Sequence, residues 1–168
     1  MDVPEWIEDI FYNYQRCRFT YDGGSRPIAI PVGPLYDADR SSLAVHTSIS
    51  FYHKVKCVKR NPKVAILYSM FGGQIEKPVV LVQGEAVVHE EDLEKNSKYI
   101  TDLLGRQRIK ESLVGRVLTK QRQQMSSTFG KIMMDWYLKR IIIEVTPHKI
   151  LAWHNGDLDE QPEIFEVK

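Results

Sequence analysis

Between Asp39 and Glu76 the chain has no carboxylate, yet the interval carries Arg40, Lys54, Lys56, Lys59, Arg60 and Lys63, with His46 and His53 alongside. The run from Leu43 to Thr47 has the apolar character of a strand. It passes through Ser48 and Ser50 into a helical stretch with Phe51, Val55 and Val58 as an apolar stripe, and Asn61-Pro62 ends that stretch. A helix start has unpaired backbone N–H groups and a partial positive charge, so acidic side chains normally gather there. Here His53 and Lys54 open the helix instead. Hydroxyls, free N–H groups and cations at one place suit a phosphate, which accepts several N–H bonds and gains from the dipole. Taken singly, Ser50 reads as an N-cap and each lysine as a solvated side chain. The acid-free grouping is what points to an anionic guest.

A second feature lies upstream. In the strand-like run from Arg26 to Gly33, bulky Ile28, Ile30 and Val32 share one face by the period-two rule, leaving Ala29, Pro31 and Gly33 on the other. That second face is nearly flat, and a planar ring could lie against it. Pro31 cannot donate to a ladder, which places this strand at an edge or a bulge. Read without a ligand, the same segment is an ordinary strand at a crowded packing site.

These residues need a frame to position them. Trp6, Ile7, Ile10, Phe11 and Tyr14 recur at helical spacing after Asp2, which can cap the helix with Pro4 and Glu5 in its first turn. From Cys17 to Val88 the pattern becomes short alternating or apolar segments, with turns expected at Asp22 to Ser25, Tyr36 to Asp39 and Phe71 to Gln74. Helical periodicity returns from Glu90 to about Tyr137, a helical insertion spanning about 90–138 and read as two helices. Ile141-Ile142-Ile143 and Lys149 to Trp153 then read as closing strands, separated by Thr146-Pro147-His148. The expected architecture is α+β, mainly antiparallel β: a split β-barrel in one domain over residues 1–168, with an N-terminal helix and the helical insertion.

Composition narrows the function classes. At 168 residues and 43% hydrophobic the chain supports one well-buried domain. With 23 basic and 22 acidic residues the net charge is +1, so no overall field draws it to nucleic acid or anionic lipid. Lacking a membrane-length apolar run and a basic-then-apolar leader, the sequence reads as soluble and cytoplasmic. Cys17 and Cys57 form no zinc or redox spacing and read as buried small hydrophobes. A nucleic-acid partner through Arg106, Arg108, Lys110, Arg116, Lys120 and Arg122 is disfavoured, since no aromatic residues interleave them for base stacking. His89, His148 and His154 match no metal-ligand spacing, and Gly23-Gly24 and Gly72-Gly73 lack the Lys-Ser/Thr of a phosphate loop.

The order of these pieces resembles the pyridoxamine 5′-phosphate oxidase-like family of flavin-binding split barrels. The resemblance rests on the hairpin CRFTYDGGSRPIAIPV, the strand LAVHTS, the helix-to-strand run HKVKCVKRNPKVAIL, the strand VVLVQGEAVV and the closing unit TPHKILAW, roughly half the chain. It implies flavin mononucleotide (FMN) as cofactor, with a deazaflavin coenzyme or haem as alternatives. Thr47 and Ser48 match residues that contact its phosphate, and Lys54 the lysine that pairs with it. Arg26, Ile28, Ala29, Ile30 and Pro31 match the strand whose backbone addresses the flavin ring, with Val45 and His46 on the strand beside it. Trp153 matches an aromatic near the cofactor. Where the family usually shows serine-arginine-lysine, this chain has Tyr52-His53-Lys54. The arginine-rich C-terminus that holds substrate phosphate in the vitamin-processing oxidases has no counterpart here. An FMN-dependent oxidoreductase is implied, acting on an unidentified small molecule or a reduced nicotinamide donor, with a non-catalytic flavin carrier as the alternative, and so is a homodimer. The aromatic N-terminal helix offers a surface for that pairing.

Overall fold

The computed structural model describes residues 1–69, 77–106 and 139–167. Its elements are α1 (Glu5–Asn13), β1 (Cys17–Asp22), β2 (Pro27–Val32), β3 (Pro34–Asp37), β4 (Ser42–Ser48), a 3-10 turn (Ile49–Phe51), α2 (His53–Arg60), β5 (Lys63–Tyr68), β6 (Val79–His89), α3 (Leu93–Arg106), β7 (Arg140–Trp153) and β8 (Glu163–Glu166). All described strands join one antiparallel sheet in the order β2-β1-β5-β6-β7-β4-β3, with β8 added on β7. The two ends of this path, β2 and β3, are separated in sequence by Gly33 alone. The sheet must therefore curl until its ends meet at Gly33, and beyond that residue β2 pairs with β1 while β3 pairs with β4. The barrel is split between β2 and β4, and β2 is an edge, the position at which Pro31 costs no ladder bond.

Alternation decides what faces inward. Cys17, Phe19 and Tyr21 of β1, Ile66 and Tyr68 of β5, and Val80 and Val82 of β6 fill the interior together with Ile7, Ile10 and Phe11 of α1. Cys17 and Cys57 are both free and buried, as small core side chains. A second, smaller cluster on the outer face joins Leu35, Ala44 and Ile142 to Ile100 and Leu103 of α3.

Several boundaries differ from the sequence reading. Helix α1 starts at Glu5 with Pro4 at the cap position and no side-chain cap, because proline's fixed φ and its restriction on Val3 keep the chain extended up to that point. Asp2 is therefore not the cap. Tyr36 and Asp37 belong to β3, and the turn falls at 38–41. Asp37 is buried because Tyr99 donates to it at 2.7 Å and the Asp39 backbone N–H at 3.1 Å. Strand β7 runs unbroken through Pro147, which sits opposite Gly84 where the β6–β7 register shifts. A Cβ on Gly84 would stand 2.3 Å from the Thr146 carbonyl oxygen, so this close crossing requires glycine. Strand β8 was not expected. Of the helical insertion, α3 is observed, and the second expected helix lies outside the described residues, as does the turn at 71–74. No helix among the described residues is long and apolar enough to cross a membrane.

Candidate functional site

Folding brings carboxylates to three of the six cations of the acid-free interval. Arg40 meets Asp37 and Glu144 at 3.6 Å, Lys59 bonds Glu90, and Arg60 lies 4.0 Å from Asp22. Lys54 is treated differently. Among the described residues no carboxylate pairs with it. It is half-buried, and both burial and the neighbouring Arg140 pull its ammonium below the usual lysine range. His46 stands in the same field: burial first, then Arg140 and Lys54, hold its imidazole down to about 4. Its Nδ1 is shut off from solvent and has no hydrogen-bond partner.

Strand register explains why these groups converge. On β4, His46 and Ser48 lie two residues apart and share a face, and on β7 their direct partners are Ile142 and Arg140. Arg140 thus stands beside Ser48. The start of α2 follows Ser48 through the 3-10 turn and carries Lys54 back over the same end of β4. An orphaned buried nitrogen beside a half-buried lysine that meets no carboxylate among the described residues forms a site short of negative charge, which a phosphomonoester would supply.

The sequence-predicted residues divide accordingly. Ser48 and Lys54 reach this site. Thr47 adjoins it, but its side chain is buried and donates to the Ser48 carbonyl at 3.3 Å, and Val45 is spent on the core. His53 is exposed, with Nε2 3.6 Å from Cys57 Sγ one turn along the helix. Ser50 lies within the 3-10 turn; the cap position of α2 is Tyr52, which makes no side-chain cap. Phe51 does not join the apolar stripe but is 62% exposed. On β2, Ile28 and Ile30 turn their side chains to the core, and Ala29 and Pro31 face solvent, so the flat outer surface exists as expected. Extending the β3–β4 register by one residue from Pro34↔Val45 sets Gly33 opposite His46. The flat face of β2 and the basic cluster therefore adjoin across the split. Arg26 sits at the far end of β2 in an open groove of about 710 Å³ with Asp22, Lys63, Glu85 and Lys149. Two carboxylates interleave with the three cations there, which argues against an anion site.

Trp153 is not brought to the cluster. It lies eleven residues beyond Ile142 on β7, on the order of 30 Å along an extended chain, and its indole N–H donates to the Glu160 carbonyl at 3.0 Å. It shares the outer face with Leu67, Leu81, Leu151, Val79 and Ile164, which follow one another across β5, β6, β7 and β8. None of these belongs to either core cluster. The aromatic N-terminal helix, by contrast, has Ile7, Ile10 and Phe11 buried within its own chain, so it is not the free apolar surface that the sequence suggested.

Sequence reasoning missed Arg140 and a polar network beneath α3. There Glu144 accepts from Ser42 at 2.9 Å and lies 2.8 Å from His89 Nε2, while Asn96 donates to the carbonyls of His89 and Arg140. Nothing local in sequence marks either, since both arise from the β4–β7 and β6–β7 registers. Arg106, at the start of the basic helical segment, bonds Asp39 at 2.7 Å, and Arg108, Lys110, Arg116, Lys120 and Arg122 lie outside the described residues.

No family model and no curated protein matches the sequence. Solved structures do match in shape. General stress protein 26 from Bacillus anthracis is 15% identical with a TM-score of 0.57, over 97% of both chains. A FAD-binding protein from Mesorhizobium loti is 13% identical with a TM-score of 0.56, over 88% of this chain and 89% of the other. A candidate pyridoxamine 5′-phosphate oxidase from Listeria innocua is 18% identical with a TM-score of 0.56, over 88% of this chain and 95% of the other. The curl, the split at Gly33 and the helix that follows β4 are thus a known architecture: the chain has the fold of the pyridoxamine 5′-phosphate oxidase-like split barrels.

Proposed function

We propose that this protein binds FMN in the split between β2 and β4 and acts as an FMN-dependent oxidoreductase. The observation that carries the reading is Lys54, which pairs with no carboxylate among the described residues, beside His46, whose buried Nδ1 has no partner. A phosphomonoester there would be held by Lys54 and Ser48, with the β4-to-α2 backbone beside it. The isoalloxazine ring would lie on the flat outer face at Ala29 and Pro31, reaching back from the same cluster. Similarity in fold to a FAD-binding protein supports a flavin guest.

Bound flavin supplies hydride or electron transfer itself, so the chain needs no nucleophile or general acid to support this class of chemistry. What its residues contribute is charge at the phosphate, a flat backbone surface for the ring and exclusion of water by the packed β4 end. Substrate or electron donor must then approach the exposed side of β2.

The visible absorption of the purified protein tests the cofactor class directly, because flavin, deazaflavin and haem give different spectra. Bleaching on addition of a reduced nicotinamide nucleotide tests redox competence. Titrating apoprotein with FMN, Lys54→Ala is expected to weaken binding by about 1.5 to 3 kcal/mol, the value of a hydrogen bond to a charged group. Unchanged affinity would remove Lys54 from the site.

The apolar row that belongs to neither core cluster of the described residues supports a homodimer. Leu67, Leu81, Leu151 and Ile164 form a row too hydrophobic to be left in water without consequence, and Trp153 lies at its edge. A second copy packed there would bring an aromatic ring toward a site that one chain leaves without it. Sedimentation is expected to give a dimer that Leu81→Arg converts to monomer with loss of flavin affinity. A wild-type monomer that binds FMN tightly would refute this pairing.

A further inference from the structure

We propose that Glu90, the residue that follows β6, is the positioning residue of the phosphate site: by holding α2 at its start and in its last turn, it keeps Lys54 turned toward the split. This assignment rests on the flavin reading above and adds to it a residue that touches no ligand.

Helix α2 cannot hold itself in place. It is eight residues long, below the roughly 12 to 15 at which an isolated helix is even marginal, and it has neither a side-chain cap nor an acidic residue in its first turn. Lys54, Lys56, Lys59 and Arg60 also crowd one sign of charge onto it. Its seat on the barrel is Val55, Cys57 and Val58, all buried, but apolar contact is non-directional and leaves the helix able to slide or roll. Polar bonds must fix it. Beyond the C-terminal end Asn61 donates to Asp22 at 3.2 Å. At the end that carries Lys54, the bond comes from Glu90.

The Tyr52 hydroxyl, at the cap position, donates to Glu90 Oε2 at 2.9 Å, and Lys59 Nζ bonds Oε1. One carboxylate therefore spans the helix from cap to last turn. At about 100° per residue Tyr52 and Lys59 lie within about 20° of each other around the axis, whereas Lys54 lies on the far side, between the buried Cys57 and Val58. A restraint on the first face fixes the roll of the second, and with it where the Lys54 ammonium stands. Lys56, over the Tyr52 ring at 5.8 Å, packs against the same contact. Glu90 is itself anchored: Asn96 of α3 donates to the carbonyl of His89, the residue before it, at 2.8 Å, and the Glu90 N–H donates to the Glu91 carboxylate at 3.2 Å. Its charge is met by Lys59 and a hydroxyl on the face away from Lys54, so it orients the lysine without neutralising it.

The test is to titrate wild type, Glu90→Gln, Lys54→Ala and the double variant with FMN and, separately, with riboflavin, which carries the same ring without the phosphate. Glu90→Gln is expected to weaken FMN by roughly 3- to 10-fold and to leave riboflavin affinity unchanged. In the Lys54→Ala background it is expected to cost nothing further, because Glu90 acts only through that lysine. Tyr52→Phe removes one of the two bonds without changing any charge; it is expected to show the same selective loss and the same dependence on Lys54, and serves if Glu90→Gln folds poorly. An FMN affinity equal to or above wild type in both Glu90→Gln and Tyr52→Phe overturns the assignment while leaving the flavin reading intact. So does an equal fall for both flavins, or a loss that persists undiminished without Lys54, either of which would mark Glu90 as part of the framework. A wild-type protein that binds neither flavin, or a Lys54→Ala variant that binds FMN as wild type does, overturns the phosphate site and the assignment together.

Discussion

Replacing Phe11 by alanine is expected to cost about 3 to 5 kcal/mol of folding stability, the range for deleting a large buried aromatic ring. Phe11 is 0% exposed and lies against Tyr36 at 5.4 Å and Tyr68 at 5.1 Å between ring centres. Ile7 and Ile10 of the same helix fill the interior beside it, and the vacated space is bounded by β3 and β5, which belong to ladders and cannot collapse inward without breaking pairs. Chemical denaturation would show a midpoint shift at unchanged slope if the loss is local to packing. The outcome also separates two roles for the N-terminal helix. Were α1 chiefly a pairing surface between copies, Phe11→Ala would change the oligomeric state and leave chain stability within about 1 kcal/mol of wild type. A destabilised chain whose remaining folded fraction still pairs is the expected result.

Much of the frame that positions Phe11 is legible in the residues themselves. Alternation in CRFTY and KVAILY, the turn at Asp22 to Ser25 and the stop at Asn61-Pro62 each encode a local preference that the fold keeps. What escaped is non-local. Pro147 looks like a break because proline usually ends a strand. It is tolerated here because it falls at a register shift opposite Gly84, a fact fixed by the partner strand. Asp37 looks like a turn residue until Tyr99 arrives from α3 to satisfy it. The candidate site divides in the same way. Lys54 and Ser48 can be found from the acid-free interval, because their helix and strand are adjacent in sequence. Arg140 cannot, since only the β4–β7 register places it beside Ser48. The charges that looked uncompensated in sequence also sort themselves only on folding, when Asp22, Glu90 and Glu144 neutralise Arg60, Lys59 and Arg40 and leave Lys54 facing another cation.

The second large effect is an acid sensitivity written into that cluster. His46 has a folded-state pKa of about 4 against an ordinary value of 6.5, held down by burial and then by Arg140 and Lys54. As pH falls from about 6.5 to about 4, the unfolded chain takes up a proton at this residue and the folded chain does not, so stability is lost across that window; above it His46 contributes no slope. A shift of this size corresponds to ~3 kcal/mol. In apoprotein, His46→Gln is expected to remove that part of the acid limb, so that thermal unfolding curves of variant and wild type converge toward neutral pH and separate progressively below it. The difference should approach 6 to 12 °C near pH 4, at about 2 to 4 °C per kcal/mol for a domain of this size. Parallel pH profiles would mean that His46 is not held neutral by its surroundings. A phosphate-bearing ligand should act in the opposite sense on the wild type, because an anion among His46, Lys54 and Arg140 favours the protonated imidazole and raises its pKa. FMN should therefore flatten the acid limb of wild type more than riboflavin does, and should have little such effect on His46→Gln. Equal flattening in both proteins would place the phosphate away from His46, and with it the cluster from which the proposed function is argued.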